Sequence, residues 1–151
     1  MPVSATAALD ADAGDVFALI TNPRHLPEWN RIMTRVVDAP EKVDVGETWT
    51  VEFHALGQSW RSVSTATNFD RGTLEFAYRS GTDDGNPSYA DWTWTVTPSG
   101  PGCVVTVTAD LHPQTFWRRV VLAKIRARQL KHELAESLEN LEAAVVRQTN
   151  P

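Results

Sequence analysis

Hydrophobic and polar positions change period twice along the chain. Val3 to Leu9 read as a first strand, after which Asp10-Ala11-Asp12 offers N-cap carboxylates to a short helix carrying Val16, Phe17, Leu19 and Ile20. Asn22-Pro23 stops that helix. A second short helix or turn follows from Pro23 to Asn30, with Pro23 suited to a first helical position. From Ile32 to Thr108 the helical spacing gives way to runs rich in Val, Thr, Trp, Phe and Tyr, which predict strands near 32–38, 47–55, 58–69, 73–80, 89–98 and 103–111. The breaks between them, such as Leu56-Gly57 and Asp70-Arg71-Gly72, are too short for parallel crossovers, so the strands are expected to form an antiparallel meander. After Pro113 the helical period returns. Phe116, Val120, Ala123, Ala127, Leu130, Leu134, Leu138, Leu141 and Val145 form one stripe along a helix of about eight turns.

Because side chains alternate faces along a strand, the apolar parity of each run predicts which side meets that helix. Trp49, Val51 and Phe53 share a face, as do Leu74, Phe76 and Tyr78, then Trp92, Trp94 and Val96, then Val105, Val107 and Ala109. Glu52, His54, Glu75, Arg79, Asp91, Thr93 and Thr95 fall on the opposite side. Strand 58–69 is ambiguous, with Trp60 competing against Arg61, Val63 and Thr65; the Val63 parity is preferred here. The pattern predicts an α+β fold, one domain over 1–151, in which a curved antiparallel sheet of about seven strands wraps the terminal helix. Large rings facing the helix are expected to enclose a mainly apolar pocket for a small organic molecule, the alternative being a core that they fill completely.

Composition narrows the possibilities. With 42% hydrophobic and 22% charged residues over 151 positions, the chain has the makings of a globular domain. A net charge of −5 argues against nucleic-acid binding, and no apolar run approaches the ~20 residues of a membrane span. The start of the chain lacks a secretory pattern, which leads us to expect a cytoplasmic protein. Cys103 reads as a small buried strand residue rather than a nucleophile. No G-x-S-x-G, H-E-x-x-H or Cys/His metal spacing occurs, so neither a metal nor a cofactor is expected.

Three segments carry a family resemblance. Asp15-Val16-Phe17-Ala18-Leu19-Ile20-Thr21-Asn22-Pro23 followed by Leu26-Pro27-Glu28-Trp29-Asn30 resembles the opening of the polyketide cyclase/dehydrase-like branch of the START/Bet v 1-like (SRPBCC) superfamily. Val45-Gly46-Glu47-Thr48-Trp49 is similar to its "vGt.w" strand entry. Gly102-Cys103-Val104-Val105-Thr106-Val107 is similar to its "GT.v.." penultimate strand, with Cys where Thr is usual. The resemblance implies the helix-grip fold. It also implies either a cofactor-independent cyclase, aromatase or dehydratase acting on a polyketide-like, aromatic or other hydrophobic substrate, or a non-catalytic carrier of a small hydrophobic molecule.

Cyclisation needs an acid or base near a carbonyl and a surface that brings distant carbons together. Tyr78 is the best internal candidate, its phenol able to donate to a carbonyl or developing enolate. Arg61 would orient a carboxylate or polarise a carbonyl if its strand faces inward, as pocket arginines do in the aromatases that the chain resembles. His25 and His112 lie at predicted element ends, where the mouth of a helix-grip pocket is expected, and histidine shuttles protons near neutral pH. Trp29 would cap the ligand or plug the core. The expected lining is Trp49, Val51, Phe53, Val63, Phe76, Trp92, Trp94, Phe116 and Val120. Arg118, Arg119, Lys124, Arg126, Arg128 and Lys131 load the first half of the long helix, a solvated face or a dock for an acidic carrier protein. A monomer or homodimer is expected.

Overall fold

Local side-chain chemistry sets the early turns of the chain. A computed structural model describes residues 2–30, 33–55, 57–83, 87–112 and 123–149. Strand β1 (Pro2–Leu9) leads to helix α1 (Ala13–Ile20), whose N-cap Asp12 accepts a hydrogen bond from the Asp15 amide at 3.1 Å. At its other end the Thr21 hydroxyl donates to the Phe17 carbonyl at 2.9 Å. Asn22 then caps a 3-10 turn (Pro23–His25), accepting from the Arg24 amide at 3.2 Å, and the one-turn helix α2 (Leu26–Trp29) follows. Helix α1 buries Val16, Phe17, Leu19 and Ile20, and α2 buries Leu26 and Trp29.

Six further strands follow: β2 (Met33–Asp38), β3 (Thr48–Ala55), β4 (Gln58–Asp70), β5 (Glu75–Thr82), β6 (Tyr89–Ser99) and β7 (Gly102–His112). They make one antiparallel sheet in the order β1-β7-β6-β5-β4-β3-β2, a meander closed by β1 pairing with β7. Helix α3 (Ala123–Thr149) lies over β1 and β7 and packs against α1 and α2. Its buried stripe of Leu130, Leu134, Leu138, Leu141 and Val145 matches the predicted one, and each buried leucine is worth about 1.5–3 kcal/mol. This is the expected helix-grip architecture. Phe116 and Val120, together with Arg118 and Arg119, lie outside the described residues. Among those described, no helix is long and apolar enough to cross a membrane.

Two details of the strands differ from the prediction. Strand β5 begins at Glu75 rather than 73 because the Asp70 carboxylate takes hydrogen bonds from the Gly72 and Thr73 amides at 2.8 and 3.1 Å, holding 70–73 in a turn, and Leu74 adopts φ 56°. Strand β4 turns the opposite parity inward from the one preferred above. Ser62, Ser64 and Ala66 are buried, whereas Val63 and Arg61 belong to the outer face. A bulge between Ala66 and Asn68 then resets the alternation, so that Phe69 also faces in, paired with Phe76. The apolar residues of β4 therefore carry two parities, which is why Val63 and Phe69 together mislead a single-register reading.

Candidate functional site

Across the inner face of the sheet, burial falls off from one end to the other. At the tightly covered end, Val96, Cys103, Val105 and Val107 are almost wholly enclosed. The next row, Phe69, Phe76, Trp94 and Val107, is set side by side by the β4–β5–β6–β7 registers. One row further, Tyr78 pairs with Trp92 and Ala66, and both rings become half-buried. Beyond them Ser80, Ala90 and Leu111, and on the other strands Phe53, Trp60 and Met33, are half-buried although they face inward. This partly exposed end is the candidate ligand surface.

Rings tile it continuously. Phe53 stacks on Trp60 at 5.5 Å between centroids and 4° between planes, and Tyr78 stacks on Trp92 at 6.0 Å and 17°. Trp49 meets Tyr78 edge-on at 5.1 Å, and Trp29 meets Trp94 edge-on at 5.4 Å and 86°. Such offset and T-shaped contacts are the favourable aromatic geometries. Under α2 the rings nearly close: Ile20, Pro23, Leu26, Trp29, Trp49, Phe76, Tyr78 and Trp94 surround a void of about 10 Å³, the space of one water. At this deep end the expected alternative of a filled core describes the molecule, and among the described residues the more open surface lies at the other.

Among the described residues the polar groups of the inner face are neutral. Trp92 donates its indole N–H to the Ser80 hydroxyl at 2.8 Å, and Trp94 donates to the Tyr78 hydroxyl at 3.3 Å. Among the described residues the buried polar side chains are Ser62, Ser64 and Ser137, and none is charged. Burial pushes the Tyr78 phenol up to about 12, only partly offset by the Trp94 hydrogen bond, so it holds its proton at neutral pH and acts as a donor rather than a base. Burial likewise raises the Cys103 thiol, consistent with a structural residue.

Three of the four predicted catalytic side chains lie elsewhere. Arg61 is 46% exposed on the outer face, with its Nε 3.8 Å from Glu52, because the β3–β4 register places it opposite Glu52 rather than opposite a lining residue. His112 also faces out. Its ring stacks on Tyr89 at 4.7 Å, its Nε2 lies 3.1 Å from Asp110 and 3.9 Å from Asp91, and Arg79 holds Asp91 through two bonds of 2.8 and 3.0 Å. That ladder of charges spans β5, β6 and β7 on the side away from the rings. His25 sits on the surface of the 3-10 turn, its Nδ1 2.9 Å from Glu28. Tyr78 alone of the four stands on the inner face. Of the expected lining, Trp49, Val51, Phe53, Phe76, Trp92 and Trp94 face inward, and Val63 does not. The prediction missed Trp60, Ser62, Ser64 and Ser80. The two-residue link Leu56-Gly57 was the signal available for the first three, since it pairs Ala55 with Gln58 and so sets Phe53 opposite Trp60.

A family model described as polyketide cyclase / dehydrase and lipid transport matches residues 2–146. The chain belongs to that family. Among solved structures, this family member is similar to an aromatase/cyclase from a Streptomyces species (TM-score 0.79, 13% identity, 99% of this chain and 96% of that one covered). It is similar to a protein from Thermus thermophilus (TM-score 0.79, 18% identity, 99% and 100% covered). It is similar also to a norcoclaurine synthase from Thalictrum (TM-score 0.73, 16% identity, 99% and 96% covered). At these identities the likeness is one of fold. No curated protein matches the chain.

Proposed function

We propose that this member of the polyketide cyclase / dehydrase and lipid transport family binds a small, uncharged, ring-bearing organic molecule on the partly exposed end of its inner face. The observation that carries the reading is the run of inward-facing but half-buried rings, Phe53, Trp60, Tyr78 and Trp92, next to the neutral hydroxyls of Ser62 and Ser80. Stacked rings reward a flat apolar ligand, and inward-facing neutral hydroxyls offer an ionised one no opposite charge. Saturable quenching of tryptophan fluorescence by naphthalene-sized neutral compounds tests this. Trp92→Ala and Phe53→Ala are each expected to weaken binding about tenfold, the usual cost of removing a ring anchor. Binding indifferent to both substitutions refutes the reading.

A second reading, cyclisation or dehydration of a polyketide-like chain without a cofactor, is favoured by Tyr78. In an aldol closure a methylene carbon gives up a proton to solvent and bonds to a carbonyl carbon, whose oxygen takes up a proton, which closes the ring; loss of that hydroxyl and a neighbouring hydrogen as water then leaves a carbon–carbon double bond. A neutral phenol at the carbonyl oxygen stabilises the charge that develops there. Tyr78→Phe is expected to lower turnover of a poly-β-ketone about 10- to 100-fold, and unchanged turnover would exclude Tyr78 from that role.

A further inference from the structure

Two hydroxyls on the inner face of β4 are buried and unused. Ser62 and Ser64 are 9% and 3% exposed, and among the described residues neither side chain has a hydrogen-bond partner. Buried hydroxyls are ordinarily hydrogen-bonded, so two of them side by side without partners call for an explanation. Both oxygens keep some open surface, since among the described residues the sealed side-chain atom lacking a partner is the Trp29 Nε1. The β4–β5 register sets Ser64 opposite Ser80, with Cβ atoms about 4.5–5.5 Å apart. Ser80 accepts the Trp92 indole N–H at 2.8 Å, and its own hydrogen goes to no acceptor among the described residues. Trp60, half-buried, precedes Ser62 on the same face of β4. The three hydroxyls therefore lie between the Phe53–Trp60 stack and the Tyr78–Trp92 stack, and half-buried Trp92 joins them to the open end.

We propose that Ser62, Ser64 and Ser80 form a subsite for a neutral hydroxyl group on the ligand's ring, a phenol or an enol. The inference rests on the ligand-binding reading above and specifies the ligand's chemistry. A serine hydroxyl both donates and accepts and rotates to suit its partner, and a ligand hydroxyl does the same. Its oxygen accepts from Ser64 and Ser80, which face each other, and its hydrogen passes to Ser62, the next residue of that face. A hydrocarbon edge would leave all three serine hydrogens unmade. An ether brings lone pairs but no hydrogen to give, and an alkyl group to place among hydroxyls. A carboxylate would meet no buried cation among the described residues, at a large desolvation cost. Ser62 and Ser64 are thus specificity-determining residues that hold the polar edge of the ring toward β4 while its face lies on Trp92.

Three probes sharing one bicyclic skeleton test this: naphthalene, 2-naphthol and 2-methoxynaphthalene, titrated by calorimetry into the 151-residue chain near neutral pH, where a phenol keeps its proton. The naphthol is expected to bind about tenfold more tightly than naphthalene, and the methyl ether no more tightly than naphthalene. Ser62→Ala and Ser64→Ala should each reduce the naphthol's advantage several-fold, with naphthalene affinity level or raised. Their urea midpoints should equal or exceed that of the parent, because the hydroxyl removed has no partner within the fold. Lower midpoints in both variants mark the hydroxyls as structural and overturn the subsite. Saturable naphthalene binding with no naphthol preference, a methyl ether that binds as tightly as the naphthol, or an advantage that survives both substitutions also overturns it and leaves the ligand-binding reading standing. Failure of all three probes to bind overturns both.

Discussion

Tyr78 stands at the boundary between the closed nest of rings and the exposed end, and its environment has consequences measurable without a ligand. Its folded pKa, near 12, lies above the ordinary value of 10, so between these limits the folded state holds a proton that the unfolded state has lost. Stability is therefore fully present below pH 10 and declines as pH rises toward 12, by roughly 2–3 kcal/mol at most from this group. Urea denaturation at pH 9 and pH 11.5 is expected to show that decline in the parent and a smaller one in Tyr78→Phe. Arg61 provides the contrasting case. Its guanidinium is exposed on the outer face near Glu52, and pairs of that kind contribute about 0–1 kcal/mol, so Arg61→Gln should leave ligand affinity within about twofold. A tenfold loss in fluorescence titration would return Arg61 to the inner face.

At the scale of elements, two turns and one helix set the geometry of the grip. Gly102 opens β7, where an added Cβ would collide with the Leu9 carbonyl of β1, so the glycine of the Gly102-Cys103 segment is required by the close approach of two strands. Gly102→Ala is expected to cost about 1–3 kcal/mol in urea denaturation, since backbone must move to admit the methyl. The β4–β5 turn depends on Asp70, whose carboxyl is held below its usual range by the Thr73 and Gly72 amides. A lowered carboxylate pKa stabilises above its unfolded value and ceases to do so as pH falls through the folded one. Asp70→Ala should thus be less stable than the parent near neutrality, with the gap closing in acid titration. Helix α3 is held by its apolar stripe, and Leu138→Ala, which empties a fully enclosed position, should lose about 2–5 kcal/mol.

Taken as a whole, the molecule distributes its stability unevenly, with near-complete burial where α3, α1 and the β1–β7 pair meet and half-buried rings at the opposite end. Such a gradient lets one end serve as scaffold while the other offers apolar surface to a partner molecule. A neutral bicyclic ligand at 100 times its Kd should stabilise the fold by about 2.7 kcal/mol, readable as a rise in Tm in calorimetry. No shift at saturating ligand would place its site off the folded protein.

Much of this architecture was legible from spacing alone. The period-2 runs with short breaks and the single apolar stripe determined an antiparallel meander and a terminal helix, because burying one face of each leaves few other arrangements. They also named the inner rings of β3, β5 and β6 and the inner aliphatic residues of β7, where one register runs the length of each strand. Only the tertiary structure decided the change of face within β4 that brings Phe69 inward, since a bulge at Ala66–Asn68 depends on pairing with β5 and leaves no mark in a one-dimensional alternation. It also decided where the ionisable candidates point. His112, Arg61 and His25 are chemically apt anywhere, but strand pairing sets the first two among outer-face carboxylates, and a helix turn sets the third beside Glu28. Trp29 and Tyr78 belong to that second class: 49 positions apart in sequence, they are linked through Trp94, which Trp29 meets edge-on and which donates to the Tyr78 hydroxyl.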